Sequence, residues 1–136
     1  MKVVYWSSTG NTERMAEMLG EEIKSAGGEA EVCELSTVSP ADLAGEDSFA
    51  LGASALGAEE LDEGEVEPFV EELEKSVSGK KVALFGSYDW GDGEWMRKGE
   101  ERMTEAGAEV VGTVIANNEP GDEDQANLAE LAKKLV

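Results

Sequence analysis

A chain of 136 residues and 14.5 kDa has room for one hydrophobic core, and 40% hydrophobic against 31% charged residues is a globular balance. Its formal net charge of −20, from 31 acids and 11 bases, excludes nucleic-acid binding, because phosphates must be met by a basic surface. There is no histidine and only one cysteine, so the commonest general base is missing and neither an intrachain disulfide nor a CxxC pair can form.

No apolar run approaches the roughly eighteen residues of a membrane span, and Met1 to Trp6 lacks a secretory apolar region followed by a cleavage site. Residues 1–136 are therefore expected to form a single domain in the cytoplasm. Cys33 falls in an alternating apolar stretch, where a buried, inert thiol is expected.

Short apolar runs alternate with amphipathic helices along the whole chain. Lys2 to Trp6 is a strand, and Thr12 to Ala26 a helix with Met15, Leu19, Ile23 and Ala26 on one face. Gly27 and Gly28 end it, as glycine commonly does after a helix. Glu29 to Leu35 is a second strand and Ser48 to Ala53 a third. Val66, Phe69, Val70, Leu73 and Val77 mark a helix over Val66 to Val77, with Pro68 tolerated in its first turn. Lys81 to Gly86 is nearly continuous in apolar residues, as a strand covered on both faces should be. A helix from Glu94 to Ala106, a strand from Glu109 to Ala116 and a helix from Glu123 to Leu135 complete the series. Strands alternating with helices predict a five-stranded, doubly wound parallel sheet, an α/β fold with helices on both faces.

In such sheets ligands bind beyond the carboxyl ends of the strands, at the switch point in strand order. Three loops therefore bear on function. The first, Ser7-Ser8-Thr9-Gly10-Asn11-Thr12, carries four hydroxyls where a helix begins. A helix opening offers unpaired N–H groups to an anion, although the same residues also suit an ordinary helix cap. Neither GxxxxGK[ST] nor GxGxxG is present. The second loop is Ser54-Ala55-Leu56-Gly57-Ala58-Glu59-Glu60. The third, Ser87-Tyr88-Asp89-Trp90-Gly91-Asp92-Gly93, holds two of only eight aromatics, which suits stacking on a planar ligand or folding back on the core. Trp6 and Trp95 read as core residues. Asp89, Asp92 and Glu94 do not follow a calcium-loop pattern, and no metal site is expected.

Val4-Tyr5-Trp6-Ser7, Thr9-Gly10-Asn11-Thr12, Glu67-Pro68-Phe69 and the run from Gly79 to Tyr88 resemble flavodoxins of the short-chain type. The likeness continues through Trp90-Gly91-Asp92-Gly93, Trp95-Met96 and Glu100 to Met103, and so covers nearly the whole chain. The strand from Glu109 is uninterrupted, without the inserted loop of long-chain flavodoxins. The resemblance implies strand order 2-1-3-4-5 and a monomeric, low-potential one-electron carrier rather than an enzyme, with one noncovalently bound FMN and no catalytic residue. By it, Ser7, Ser8, Thr9, Gly10, Asn11 and Thr12 would wrap the FMN phosphate, helped by Ser54 and Ser87. Trp90 would stack on one flavin face and Leu56 would cover the other, inner face, with Ala55 also among the cofactor-binding residues. Glu59 would accept hydrogen bonds from the pyrimidine edge. Tyr88, Asp89 and Gly91 would lie alongside, and Asn118 would approach the ribityl chain. A peptide in the turn at Gly57 and Ala58 would reorient on one-electron reduction. Leu56, Ala58 and Asp89 depart from the residues usual in that family.

Between Lys24 and Lys75 there is no Lys or Arg but fifteen Asp and Glu. Such a face can be a solvated shell or a docking surface for basic redox partners, namely reductases and oxidoreductases. Glu59, Glu60, Asp62, Asp89 and Asp92 would crowd the flavin. Each unit charge about 8 Å away, at an effective dielectric constant near 20, opposes an added electron by roughly 2 kcal/mol. Two other readings compete: an FMN protein of this fold acting as an activator or small reductase, and a receiver-like signalling module. The latter needs an acceptor Asp after its third strand and a Lys near the end of its fifth, where Ala53 and Asn117 stand.

Overall fold

The computed structural model describes residues 1–56, 60, 62–89 and 91–136. Five parallel strands, β1 (Lys2–Trp6), β2 (Glu31–Glu34), β3 (Ser48–Ala53), β4 (Lys81–Tyr88) and β5 (Glu109–Asn117), form one sheet in the order β2-β1-β3-β4-β5. Helices α1 (Asn11–Ser25), α2 (Pro40–Ala44), α3 (Val66–Leu73), α4 (Glu94–Glu105) and α5 (Asp122–Leu135) connect and cover them. The doubly wound expectation is met, and β1 and β3 span the residues read from their apolar patterns.

Helix α1 buries Met15, Leu19 and Ile23 of its expected stripe but leaves Ala26 exposed beyond its end. Helix α3 buries Val66, Phe69, Val70 and Leu73, and the sheet has a separate core on each face. Met15, Leu19 and Ile23 of α1 pack with Leu128 and Leu131 of α5 over Val3, Ala50, Ala83 and Phe85. Phe69, Val70 and Leu73 of α3 pack with Trp95, Met96 and Met103 of α4 over Val4, Phe49, Leu51 and Leu84. The two lists interleave along each strand because successive strand side chains point to opposite faces. Full burial of a Leu-sized side chain contributes roughly 1.5–3 kcal/mol, so these two layers supply most of the driving force.

Three local readings are corrected. Helix α2 stands between the second and third strands, where none was expected. Pro40 starts it and Ser39 caps it, with Asp42 Oδ2 accepting from the Ser39 N–H at 2.9 Å. At five residues it is too short to show a periodic apolar face. The helix over residues 66–77 is α-helical only to Leu73 and tightens to a 3₁₀ turn over Glu74–Ser76. Cys33 is half-buried on the edge strand β2 rather than buried. Its thiol is pushed above the ordinary range by burial and then by the charge of Glu31.

The pairing leaves the strand ends aligned: Trp6 lies opposite Ala53, and Tyr88 opposite Asn117. The residues that follow them therefore emerge along one rim. Gly52 leaves room for Phe85, its register partner on the neighbouring strand β4, because a Cβ there would stand 2.1 Å from the Phe85 ring.

Candidate functional site

Four loops meet at that rim. Ser8, Thr9 and Asn11 from the first, Ser54 and Ala55 from the second, Ser87, Tyr88 and Asp89 from the third, and Asn118 after β5 line one cleft of about 80 Å³. Beneath it lie the three buried polar side chains of the described residues, Thr12, Ser54 and Ser87. They come from three different elements, Thr12 from the first turn of α1, Ser54 from just after β3 and Ser87 from the end of β4, and a buried hydroxyl without a partner is costly. Thr12 Oγ1 lies 2.8 Å from Ser54 Oγ and 2.7 Å from Ser87 Oγ, and it accepts the Ser87 N–H at 3.1 Å. Ser54 Oγ in turn accepts the Ser8 N–H at 3.2 Å.

A threonine hydroxyl has one proton and two lone pairs. The Ser87 N–H occupies one lone pair, so Thr12 accepts from one serine hydroxyl and donates to the other. The serine that accepts keeps its own proton outside the trio, available to an acceptor in the cleft. One neutral donor is thus left below the loop, without any positive charge.

The loop above is shaped for the same kind of guest. Gly10 caps α1 at φ 94°, a left-handed conformation that costs glycine little, and its N–H donates to Ser7 Oγ at 2.9 Å. The first helical hydrogen bond runs from Arg14 N–H to Gly10 C=O at 3.0 Å. The N–H groups of Asn11, Thr12 and Glu13 consequently have no acceptor within the helix, and they sit at the positive end of its dipole. Opening amides, hydroxyls and the absence of Lys or Arg from residues 7–12 form a donor set that fits a phosphate group.

The cleft's far wall is braced by backbone. Asn118 N–H donates to Tyr88 C=O at 2.7 Å, and Asn118 holds φ 61°, the one positive φ outside glycine among the described residues. Asparagine tolerates that region better than most residues. Arg14, on α1, meets Glu119 at 2.9 Å and ties this loop to the helix opening. Ala55 N–H donates to Ser87 C=O at 2.9 Å, joining the second and third loops. Arg97 of α4 bonds the Asp92 carbonyl and carboxylate at 3.2 and 3.1 Å and steadies the end of the third loop.

Most sequence-named residues are brought together, with two adjustments. Tyr88 ends β4 rather than standing free in a loop, and its ring tilts onto the buried Trp95 at 5.3 Å between centroids. It therefore folds toward the core while also lining the cleft. Leu56 pairs with Glu60 through reciprocal backbone bonds of 2.8 and 2.9 Å, which close the base of the second loop. Gly57, Ala58, Glu59 and Trp90 lie outside the described residues, and Gly91 follows at φ 101°. Sequence reasoning gave Thr12 no more weight than its neighbours. Its burial beneath two other loops is a tertiary fact, and the only sequence signal was a hydroxyl one residue inside a helix start.

The comparisons with known proteins agree with this geometry. The flavodoxin family model matches residues 3–132. The flavodoxin of Clostridium beijerinckii is 52% identical over 137 residues, covering 100% of this chain and 99% of that protein. The flavodoxin of Megasphaera elsdenii is 43% identical over 98% of both chains, and the solution structure of its two-electron reduced form superimposes with a TM-score of 0.90. An archaeal flavodoxin structure, 30% identical, gives a TM-score of 0.81 over 99% of this chain. With matching sequence over its whole length, the same sheet order and a phosphate-shaped helix opening at the switch point, this chain belongs to the flavodoxin family.

Proposed function

We propose that residues 1–136 act as one cytoplasmic, monomeric unit that carries single electrons at low potential between basic-faced redox proteins. The protein is an FMN-binding electron carrier, as its family is, and the bound flavin supplies the reversible one-electron chemistry. The observation that carries the assignment is the buried hydroxyl trio beneath an uncharged helix opening, which suits the phosphate end of a mononucleotide.

In this reading Ser7, Ser8, Thr9, Gly10, Asn11, Thr12, Ser54 and Ser87 hold the phosphate, and Asn118 borders the sugar-alcohol chain. Ala55, Leu56, Tyr88, Asp89 and Gly91 flank the ring, together with Gly57, Ala58, Glu59 and Trp90. None of these groups must give up or take a proton at neutral pH to do so. Their work is to bind, orient and exclude water.

The acidic surface supports the choice of partner and the low potential. Asp89 is exposed at the cleft, Glu60 and Asp92 are exposed on the second and third loops, and Asp62 is half-buried before α3, so added negative charge at the site meets an opposing field. The same field attracts a basic face and repels an acidic one.

Titration of the apoprotein with FMN should show one site per chain and a yellow complex, and an anaerobic redox titration should place the second reduction step below that of free FMN. A chain that ignores FMN at micromolar concentration would overturn the reading. A second step no lower than that of free FMN would remove the low-potential part alone.

A further inference from the structure

We propose that Arg14 is a specificity-determining residue that favours the phosphate-bearing form of the ligand, and that Glu119 holds this cation partly in check. The inference rests on the reading that residues 7–12 hold the phosphate.

The phosphate loop carries no base, yet Arg14 follows it by two residues. Its amide closes the first bond of α1, to Gly10 C=O at 3.0 Å, so the residue stands in the opening turn. A cation there is opposed by the positive end of the helix dipole, so helix stability does not account for it. Helix geometry sets the direction of its side chain. Residues three apart share a face, and long side chains lean back toward the helix start. Asn11, three residues earlier, lines the cleft, so the guanidinium lies on the cleft side of the opening.

Glu119 is aimed at it by a stiff piece of chain. Asn118 before it holds φ 61°, and the Asn118 N–H is bonded to Tyr88 C=O. Pro120 after it is buried and restricts Glu119 to extended backbone. Arg14 Nη1 meets Glu119 Oε1 at 2.9 Å, and among the described residues the guanidinium has no other hydrogen-bond acceptor. The two side chains are 60% and 70% exposed, and an exposed pair of this kind adds little to folding stability. Its consequence lies at the cleft instead. A guanidinium presents five donors in a planar fork, which matches the oxygens of a phosphate. Arg14 attracts that group from the edge of the site. The Glu119 carboxylate, next to cleft-lining Asn118, occupies the fork and repels the same charge.

Dissociation constants of the apoprotein for FMN and for riboflavin, which lacks the phosphate, test the proposal at low and high salt. Arg14→Gln should weaken FMN binding by roughly three- to tenfold, and Arg14→Lys should keep most of the affinity. Glu119→Gln should strengthen FMN binding by a similar factor, because it removes a carboxylate and releases the fork. Riboflavin affinity should not move in any of these variants. In 1 M salt, where the screening length is about 3 Å, both effects on FMN should shrink toward none. A pair that served only to tether α1 to the loop after β5 would behave differently. Arg14→Gln and Glu119→Gln would then both weaken FMN and riboflavin alike, and that result would overturn the proposal. A wild-type protein that binds riboflavin as tightly as FMN would overturn the phosphate reading itself, and the proposal with it.

Discussion

Thr12 bears the most structural consequence per atom. Its hydroxyl is wholly buried and serves Ser54 Oγ, Ser87 Oγ and the Ser87 N–H at once, so one oxygen fastens α1 to the ends of β3 and β4. Thr12→Val keeps the shape and removes the oxygen, leaving buried polar partners unmet. We expect a loss of about 1–3 kcal/mol in urea unfolding of the apoprotein. FMN affinity should also fall by about tenfold, equivalent to about 1.4 kcal/mol, because the trio's outward proton is no longer fixed. Thr12→Ser should recover most of both, and equal loss in the Ser and Val variants would show that the methyl group matters and the hydroxyl does not. The hydroxyl-rich loop was plain in the sequence, as were Ser54 and Ser87 through the family resemblance. That one threonine lies under all three loops was not, because it depends on residues 42 and 75 positions away in the chain. Tyr5 shows a similar limit: its hydroxyl donates to Glu13 at 3.1 Å, and burial followed by that bond pushes the phenol upward, neither visible as a pattern.

At the scale of elements, the fit of β3 against β4 depends on the pair Gly52 and Phe85. The Phe85 ring occupies the place where a Gly52 side chain would stand, and Phe85 is wholly buried under α1 and α5. Gly52→Ala should therefore cost about 1–3 kcal/mol through overpacking, in the same range as other inserted core methylenes. Phe85→Leu alone should cost a similar amount by leaving a void. The double variant should be more stable than the sum of the two losses predicts, by at least about 1 kcal/mol in a double-mutant cycle from urea midpoints. Additive losses would mean that Gly52 is tolerated for its backbone alone. Strand and helix positions were legible because α1 and α3 carry periodic apolar stripes and β1 and β3 are short, compact apolar runs. Helix α2 was not, since five residues hold one buried leucine and no period. The 3₁₀ turn after α3 was hidden because Val77 continues the apolar spacing although the helix has already tightened.

For the whole molecule the governing quantity is charge. Even with every Lys and Arg paired to one acid, twenty acids are left without a basic partner. The ion pairs that do form are mostly exposed, such as Lys75–Glu72, Arg97–Asp92 and Lys133–Glu130, and contacts of that kind contribute between zero and about 1 kcal/mol each. Repulsion among the surplus carboxylates therefore outweighs attraction. A chain of this length has a radius of gyration of about 14 Å. At 0.01 M ionic strength the screening length is about 30 Å, so nearly all acids feel one another, whereas at physiological salt it shrinks to about 8 Å and only neighbours do. The two regimes predict opposite signs for two observables of one protein. The thermal midpoint should rise steadily as salt is added, since relief of self-repulsion favours the compact state. Electron transfer to a partner with a basic face should slow over the same range, because the field that destabilises the fold is also the field that steers the encounter. Calorimetry and stopped-flow absorbance across one salt series measure both. A midpoint that falls with salt would mean that the few ion pairs dominate stability after all, and a transfer rate indifferent to salt would mean that the acidic rim takes no part in docking.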